Sequence, residues 1–350
     1  MGEIIGLGLS HFPGPMVPVE CWPQLLRTNV EKGRIPVEVF EDKSKWPKDM
    51  LAEWGDDEGQ ASAREHSERL MAGYREMRKR LDAFNPDIVL IWGDDQYENF
   101  RTEGVPAFCV YIFDELVSKP HLGGMRGPFK TERNAWGIPK DTELVTRGHS
   151  EAAKGLMNAL LAQDFDPAYA FTVRDERGLS HAFSNTIIFL DHDRKGFDYP
   201  VIPFHVNCFG SQVMKAAARR PIACPPSPSP RRCFDIGAAV ARYFRDSPWR
   251  VALIGSSSWS HASLTPKHQR LYPDLPADRK RLEDLKTGQL RNWREISTEE
   301  IEDTGQSEFL NWVCLAGAMA ELNYQPEILD YIESQIFNSS KCFAVFEPTA

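Results

Sequence analysis

The chain has 350 residues, of which 42% are apolar and 26% charged, and its formal net charge is −9 at pH 7. This length suits one large α/β domain or two small ones. The negative charge argues against a nucleic-acid-binding protein, and no apolar run reaches the roughly 18 residues of a membrane-spanning helix. Seven cysteines without a CxxC pair, and an N-terminus without a basic leader, predict a cytoplasmic protein with reduced thiols.

The N-terminal quarter of the chain alternates apolar runs with polar breaks. An apolar run before His11 predicts a buried strand followed by a turn, and a second apolar run before Asp94 predicts another strand. Between them lie a segment rich in Trp, Pro and acidic residues and a stretch in which the apolar side chains have helical spacing. The predicted order is a strand at 4–10, a loop insertion at 21–60, a helix at 61–84 and a strand at 87–92.

The rest of the chain continues this alternation, which is typical of a mostly parallel sheet. A second loop insertion, at 211–232, contains a proline-rich segment. We therefore predict one α/β domain over 1–335, with a mostly parallel central sheet flanked by helices, and a C-terminal tail over 336–350. Further strands are predicted at 105–111, 169–172, 185–190, 201–206 and 251–254, and further helices at 148–163, 236–245, 277–285 and 304–322.

Polar and histidine side chains cluster where the predicted strands end. Open α/β sheets bind ligands beyond the carboxyl ends of their strands, so these side chains are candidates for a functional site. Two further candidates are His181, which precedes the predicted strand at 185–190, and Glu308, which lies on an apolar helix where a buried carboxylate needs a cation or a metal. The strand-end candidates are His11, Asp94, Asp95, Gln96, His205, Asn207 and His261.

Each candidate also has a purely structural interpretation. A single histidine after a strand is more often a hydrogen-bonding loop residue than a ligand. Asp94 and Asp95 fit a turn cap, and Glu308 fits a helix cap. A serine hydrolase is disfavoured because Trp259 stands where the second glycine of the GxSxG elbow is required, and the sequence contains no glycine-rich phosphate loop.

Four short segments, together with a fifth around His181 that looks like a further family segment, carry a resemblance to the type III extradiol dioxygenases, the group that includes the catalytic β-subunit of protocatechuate 4,5-dioxygenase. The resemblance runs from residue 4 to about residue 322, and the segments occur in the order typical of the family. They are Ser10-His11-Phe-Pro, Asn85-Pro-Asp-Ile-Val-Leu-Ile-Trp-Gly-Asp-Asp-Gln96, Gly178-Leu-Ser-His181, Gly255-Ser-Ser-Ser-Trp-Ser-His261 and Gly305-Gln-Ser-Glu308-Phe-Leu-Asn-Trp312.

This resemblance implies a non-haem Fe(II) site, held by two histidines and one carboxylate, that opens the ring of a catecholic aromatic substrate with O₂. His11 and Glu308 match two of the metal ligands. His261 matches the acid/base histidine, and His181 matches a histidine that contacts the substrate. The partners implied are a small aromatic substrate and further copies of the chain in a homo-oligomer.

One position departs from the family pattern, because the second ligand histidine falls on Gln96. An amide oxygen is a weaker ligand for Fe(II) than an imidazole, so Mn(II) and Zn(II) are alternative metals. The other strand-end residues Asp95, His205 and Asn207 are predicted to contact the substrate. Two other functions stay open, namely a metal-dependent hydrolase or lyase on the same fold and a non-catalytic protein that binds a small molecule.

Overall fold

A computed structural model of the protein describes residues 2–101, 103–122, 129, 131–209 and 225–348. The strands in this part of the chain are β1 (Ile4–Leu9), β2 (Ile88–Gly93), β3 (Phe108–Tyr111), β4 (Glu115–Ser118), β5 (Leu144–Arg147), β6 (Ala168–Ala170), β7 (Val201–Val206), β8 (Val251–Ser256), β9 (Gln325–Ile332) and β10 (Lys341–Glu347). Eight of them form one sheet in the order β6-β3-β7-β2-β8-β1-β10-β9, and β4 pairs with β5 separately.

The centre of the large sheet is parallel, as predicted. The strands β7, β2, β8 and β1 pair side by side in parallel, so their carboxyl ends lie together at one end of the sheet. On one flank β3 runs antiparallel to β7 and parallel to β6, and on the other flank β10 and β9 are antiparallel additions next to β1. The predicted α/β domain with a mostly parallel sheet is confirmed.

Helices cover both faces of this sheet. The helices in the described part of the chain are α1 (Gln24–Glu31), α2 (Val37–Glu41), α3 (Lys48–Trp54), α4 (Gln60–Phe84), α5 (Ser150–Leu161), α6 (His181–Leu190), α7 (Pro230–Arg245), α8 (Leu275–Lys286), α9 (Thr298–Asp303) and α10 (Leu310–Leu322). The helices α5, α7 and α10 pack on one face, and α4 and α6 pack on the other. Among the described residues, no helix combines the length and the apolar character that crossing a membrane requires.

Alternate residues of the central strands enter two separate cores. Ile88 and Leu90 of β2 pack with α10, whereas Val89 and Ile91 pack with α4 and α6. Every residue of β1, β2, β7 and β8 is buried, which explains why these strands are continuous apolar runs in the sequence. Burial of both faces fixes the strand register, because a shift by one residue would exchange the two sets of side chains.

The structure differs from the sequence-based prediction in three internal segments. Residues 185–190, predicted to be a strand, belong to α6, and nine of the ten residues of this helix are buried. A short apolar run without alternation does not distinguish a buried strand from a buried helix. The insertion at 21–60 contains α1, α2 and α3 rather than irregular chain. The insertion predicted at 211–232 lies mostly outside the described residues, and its last residues, 230–232, begin α7.

The segment 336–350, predicted to be a C-terminal tail, contains β10. This strand lies between β1 and β9, and six of its seven residues are buried, so it is an integral part of the sheet. The prediction was wrong because charged residues, Lys341 and Glu347, stand at the two ends of the strand and disguise a buried apolar run.

Lys341, the first residue of β10, has a fully buried ammonium group. Its Nζ donates hydrogen bonds to the carbonyl oxygens of Phe337 and Ser339, at 3.0 and 2.6 Å, and lies 3.9 Å from the centre of the Phe12 ring. Burial lowers the pKa of Lys341 to about 7, although the nearby Glu53 carboxylate acts in the opposite direction. An unfolded lysine has a pKa of about 10.4, so the unfolded chain binds more protons than the folded chain between these two values.

The sign of this difference predicts how stability depends on pH. The cost of burying Lys341 is fully present below pH 7 and disappears as the pH rises towards 10.4, so this group makes the free energy of unfolding increase over that range, by up to about 1.4 kcal/mol per pH unit. In Lys341→Met this contribution is absent, and the slope falls. Urea unfolding at pH 7.5, 8.5 and 9.5 measures both slopes. The exposed Lys48 provides the control variant Lys48→Met, and a wild-type slope in Lys341→Met would contradict the prediction.

Candidate active site

The carboxyl ends of β1, β2 and β8 open onto a cavity of about 780 Å³. These strands are parallel neighbours at the centre of the sheet, which is the usual position of ligand sites in open α/β folds. The structure therefore brings together residues that lie near opposite ends of the sequence. The predicted functional residues that line this cavity are His11, Gln96, His181, His261 and Glu308.

His11 follows β1 directly and is held in one orientation by the end of β8. Its Nδ1 lies 3.0 Å from the carbonyl oxygen of Ser256 and therefore donates a hydrogen bond to it. The second ring nitrogen, Nε2, lies 3.3 Å from Oε2 of Glu308 and 3.5 Å from Oδ1 of Asp94. A histidine whose Nδ1 is bound to a carbonyl presents Nε2 as a ligand or acceptor, which is the usual arrangement in metal sites.

Glu308 lines the cavity and belongs to a 3-10 turn, Ser307–Phe309, immediately before α10. Its Oε1 accepts a hydrogen bond from Nε2 of Gln96 at 3.0 Å, and its Oε2 lies 3.2 Å from Nε2 of His261. Burial raises the pKa of Glu308, but the His261 and His11 rings outweigh this effect, and the pKa lies well below its usual value. The carboxylate is therefore charged, and each of its two oxygens has a polar side chain beside it.

Asp94 is the principal site residue that the sequence analysis left without a role. It follows β2, is completely buried, and accepts a hydrogen bond at Oδ1 from Nδ2 of Asn311, at 3.2 Å. Its Oδ2 has no hydrogen-bond partner among the described residues. Burial and the negative charge of Glu308 raise the pKa of Asp94 to about 6. The strand-end position was a visible signal, but nothing in the sequence distinguished Asp94 from Asp95.

His261 lies beside Glu308 on a loop that is fixed by backbone hydrogen bonds. Its Nδ1 donates to the carbonyl oxygen of Trp259 at 2.8 Å, so Nε2 faces Glu308. The backbone N–H of His261 donates to the carbonyl oxygen of Gly305, and Asn338 accepts a hydrogen bond from the next residue in the chain. Burial lowers the pKa of His261, but Glu308 outweighs burial and raises it above the usual value.

His181 begins α6 and is paired with a carboxylate that the sequence analysis did not identify. Both its backbone N–H, at 3.0 Å, and its Nδ1, at 2.9 Å, bind Oε2 of Glu98. Its ring packs edge-on against His11, with 5.2 Å between the ring centres. Burial lowers the pKa of His181, but Glu98 outweighs burial and raises it to about 10. Because Nδ1 is engaged by Glu98, Nε2 is the nitrogen that remains for the cavity.

Three residues predicted to contact the substrate are not among the described residues that line the cavity. The carboxylate of Asp95 accepts hydrogen bonds from the backbone N–H groups of the following turn, so Asp95 is a cap. The ring of His205 packs on Phe100, with 4.7 Å between the ring centres. The backbone N–H of Asn207 donates a hydrogen bond to the carbonyl oxygen of Ala107, the residue before β3. Successive side chains point in opposite directions in extended chain, so neighbours of a site residue turn away.

The cluster has the composition of a divalent-metal site. Ligand atoms of His11, Asp94 and His181 all lie within 4.8 Å of one another, and Glu308 approaches His11 to 3.3 Å. Imidazole and carboxylate ligands together suit Fe(II), Mn(II) and Zn(II). Oδ2 of the buried Asp94 has no hydrogen-bond partner among the described residues, and a cation beside it would compensate the charge of this carboxylate.

Curated relatives align with most of this chain at low identity. Two proteins named 2,3-dihydroxyphenylpropionate/2,3-dihydroxicinnamic acid 1,2-dioxygenase, from Burkholderia vietnamiensis and Paraburkholderia phymatum, are each 26% identical to it, over 301 and 302 residues. Each alignment covers 73% of this chain and 83% of the relative. Among solved structures, an uncharacterized protein of Escherichia coli K12 aligns over 97% of this chain and 98% of its own, with 11% identity and a TM-score of 0.45.

A family model also matches most of the chain. The model described as the catalytic LigB subunit of aromatic ring-opening dioxygenase matches residues 56–345. This range includes Gln96, His181, His261 and Glu308, and therefore most of the cavity cluster. The chain belongs to the family of catalytic LigB subunits of aromatic ring-opening dioxygenases.

Proposed function

We propose that this protein is an extradiol-type dioxygenase, which opens the ring of a catecholic aromatic compound with O₂ at a non-haem Fe(II) site. The observation that carries the proposal is the convergence on Glu308, whose Oε2 lies 3.3 Å from Nε2 of His11 and 3.2 Å from Nε2 of His261. A carboxylate, a ligand histidine and a separate acid/base histidine are the groups that this reaction needs. Family membership and the names of the relatives support the same reaction.

His11 and Glu308 would hold the metal ion through Nε2 and the carboxylate. Fe(II) held by these two groups would supply the chemistry of the reaction, because it would bind both a catechol and O₂ and would make the catechol hydroxyls more acidic. The carbonyl of Ser256 accepts a hydrogen bond from Nδ1 of His11, which would leave the lone pair of Nε2 available to the ion. Mn(II) and Zn(II) suit the same two groups and are the alternative metals.

His261 would act as the general acid/base. The carbonyl of Trp259 holds its Nδ1, so Nε2 is the atom that takes a proton from a catechol hydroxyl and later returns a proton to the product. His181, held by Glu98, would donate a hydrogen bond from Nε2 to a catechol oxygen and so orient the ring. The apolar side chains that would contact the ring are Phe12, Pro13, Leu25, Phe209 and Leu264.

A metal-dependent hydrolase or lyase is the second candidate, and a specific observation favours it. Asp94 and Glu308 place two buried carboxylates beside His11, and oxygen-rich sites suit Mn(II) and Mg(II) as well as Fe(II). Oxygen consumption distinguishes this candidate from the dioxygenase, since hydrolysis and elimination use no O₂. A non-catalytic binding protein would bind a catechol without converting it.

The test of the proposed function begins with metal-free protein reconstituted with Fe(II) under nitrogen. Catechols with and without a carboxylate side chain are then added in air-saturated buffer, and an oxygen electrode records uptake. We expect one O₂ to be consumed for each catechol, together with the appearance of a ring-opened product. Iron-loaded protein that binds a catechol but consumes no oxygen with any member of the panel would contradict the proposal.

The role of His261 gives a specific prediction. Removal of a general acid/base typically lowers turnover by about 10²–10⁴-fold, so His261→Ala should lose this much activity while its iron content stays at the wild-type level. The measurements are turnover by oxygen uptake and iron by elemental analysis. His268→Ala is the matched control, because His268 hydrogen-bonds Tyr272 outside the cavity. Loss of iron in His261→Ala would assign His261 to the metal instead.

The role of Glu308 gives a second prediction, which does not depend on turnover. A metal that binds only the folded protein adds about 2.7 kcal/mol to the free energy of unfolding at a hundredfold excess over its dissociation constant. We expect this stabilisation in wild type and in Glu299→Ala, which alters an exposed residue at the cavity wall, but not in Glu308→Ala. Thermal unfolding with and without Mn(II) under nitrogen measures it, and equal stabilisation of all three proteins would exclude Glu308 as a ligand.

A further inference from the structure

The geometry points to Asp94 as the third protein ligand of the metal ion, in place of Gln96, which occupies the position of the second ligand histidine. In this arrangement the ion is held by one imidazole and two carboxylates, from His11, Asp94 and Glu308. Gln96 has a different task, which is to orient Glu308. This inference rests on the proposed function only in requiring that a divalent metal binds the cluster.

The contact between Gln96 and Glu308 shows why Gln96 is a poor ligand here. Nε2 of Gln96 lies 3.0 Å from Oε1 of Glu308, and only the NH₂ end of the amide can face a carboxylate oxygen at that distance, since two acceptors would repel. An amide nitrogen has no lone pair to offer a metal. The side chain of Gln96 is also exposed, whereas Asp94 and Glu308 are buried. Gln96 is therefore an outer hydrogen-bond donor to a ligand.

Asp94 has the properties that a ligand at this position requires. It is completely buried, its Oδ1 lies 3.5 Å from Nε2 of His11, and its Oδ2 has no hydrogen-bond partner among the described residues. A buried carboxylate in this condition is strongly destabilising unless a cation compensates it. Two buried carboxylate oxygens beside one imidazole nitrogen form a donor set that suits a divalent metal ion.

A shared support connects Asp94 to His11. Nδ2 of Asn311 donates hydrogen bonds to Oδ1 of Asp94, at 3.2 Å, and to the carbonyl oxygen of Ser256, at 3.1 Å. The same carbonyl accepts the hydrogen bond from Nδ1 of His11. Outer groups that fix the orientation of ligands in this way are typical of metal sites. Asp94 and His11 are thus positioned as a pair before any ion arrives.

The neighbouring Asp95 supplies a matched control for the experiment. Its carboxylate accepts hydrogen bonds from the backbone N–H groups of Glu98 and Asn99, so Asp95 stabilises the turn and does not need a cation. Replacement of either aspartate by asparagine removes one negative charge at nearly constant shape. A difference in metal affinity between the two variants therefore reflects the position of the carboxylate and not simply the loss of one negative charge.

The test uses metal-free wild type, Asp94→Asn, Asp95→Asn and Gln96→Ala, titrated with Mn(II) under nitrogen by calorimetry. We expect Asp94→Asn to weaken Mn(II) binding by more than about 100-fold. Gln96→Ala should weaken it by about tenfold, because it removes only a hydrogen-bond partner of a ligand. Asp95→Asn should bind like wild type. Wild-type affinity in Asp94→Asn, or a loss in Gln96→Ala as large as in Asp94→Asn, would overturn the assignment.

A second measurement covers the case in which Asp94→Asn does not fold. The visible absorption bands of bound Co(II) depend on its ligands, so Gln96→Ala should give the wild-type spectrum if Gln96 is not a ligand. An altered spectrum in Gln96→Ala would overturn the inference. If wild type binds metal and Asp94→Asn loses it, but no catechol is opened, the proposed function fails and the ligand assignment stands. If wild type opens the catechol ring and Asp94→Asn binds metal normally, the ligand assignment fails and the proposed function stands. If wild type binds no metal, the ligand assignment and the proposed function both fail.

Discussion

The buried Glu308 carboxylate is the group on which the site depends, because side chains that follow three different strands meet at its two oxygens. Gln96 binds Oε1, and His11 and His261 approach Oε2. A buried carboxylate needs such partners, and removal of one partner from a buried ion pair typically costs about 3–5 kcal/mol. Since each partner follows a strand of the central sheet, the alignment of β1, β2 and β8 determines whether the cluster exists.

Backbone carbonyls determine the chemistry of the two histidines that face Glu308. Ser256 and Trp259, at and just beyond the end of β8, accept hydrogen bonds from Nδ1 of His11 and of His261. Both rings therefore present Nε2, one as a ligand and the other as an acid/base in the proposed reaction. Because these acceptors belong to the main chain, the path of the chain after β8 matters more to the tautomers than the identity of its side chains.

Much of the site could be predicted from the sequence because parallel strands bring their ends together. His11, Gln96 and His261 each follow an apolar run, and the structure places all three at one cavity. The direction of each side chain could not be predicted, because it depends on the residue at which the strand ends, and so Asp94 faces His11 while Asp95 caps a turn. The same limit applies to α6, whose apolar residues were visible in the sequence, but burial on nearly all sides removed the periodicity that identifies a helix.

The position of β1 in the sheet has a consequence for how the protein is made. β1 pairs with β8 on one side and β10 on the other, and Ile4 is opposite Val251. At a synthesis rate of about 5–20 residues per second, β1 waits roughly 10–50 s for its first neighbour to leave the ribosome. Throughout that interval an apolar strand has two unpaired edges, which is the condition that favours association with chaperones or with other chains. His11 is also made long before Glu308, so a nascent chain cannot bring these two side chains together until most of the strands have been made.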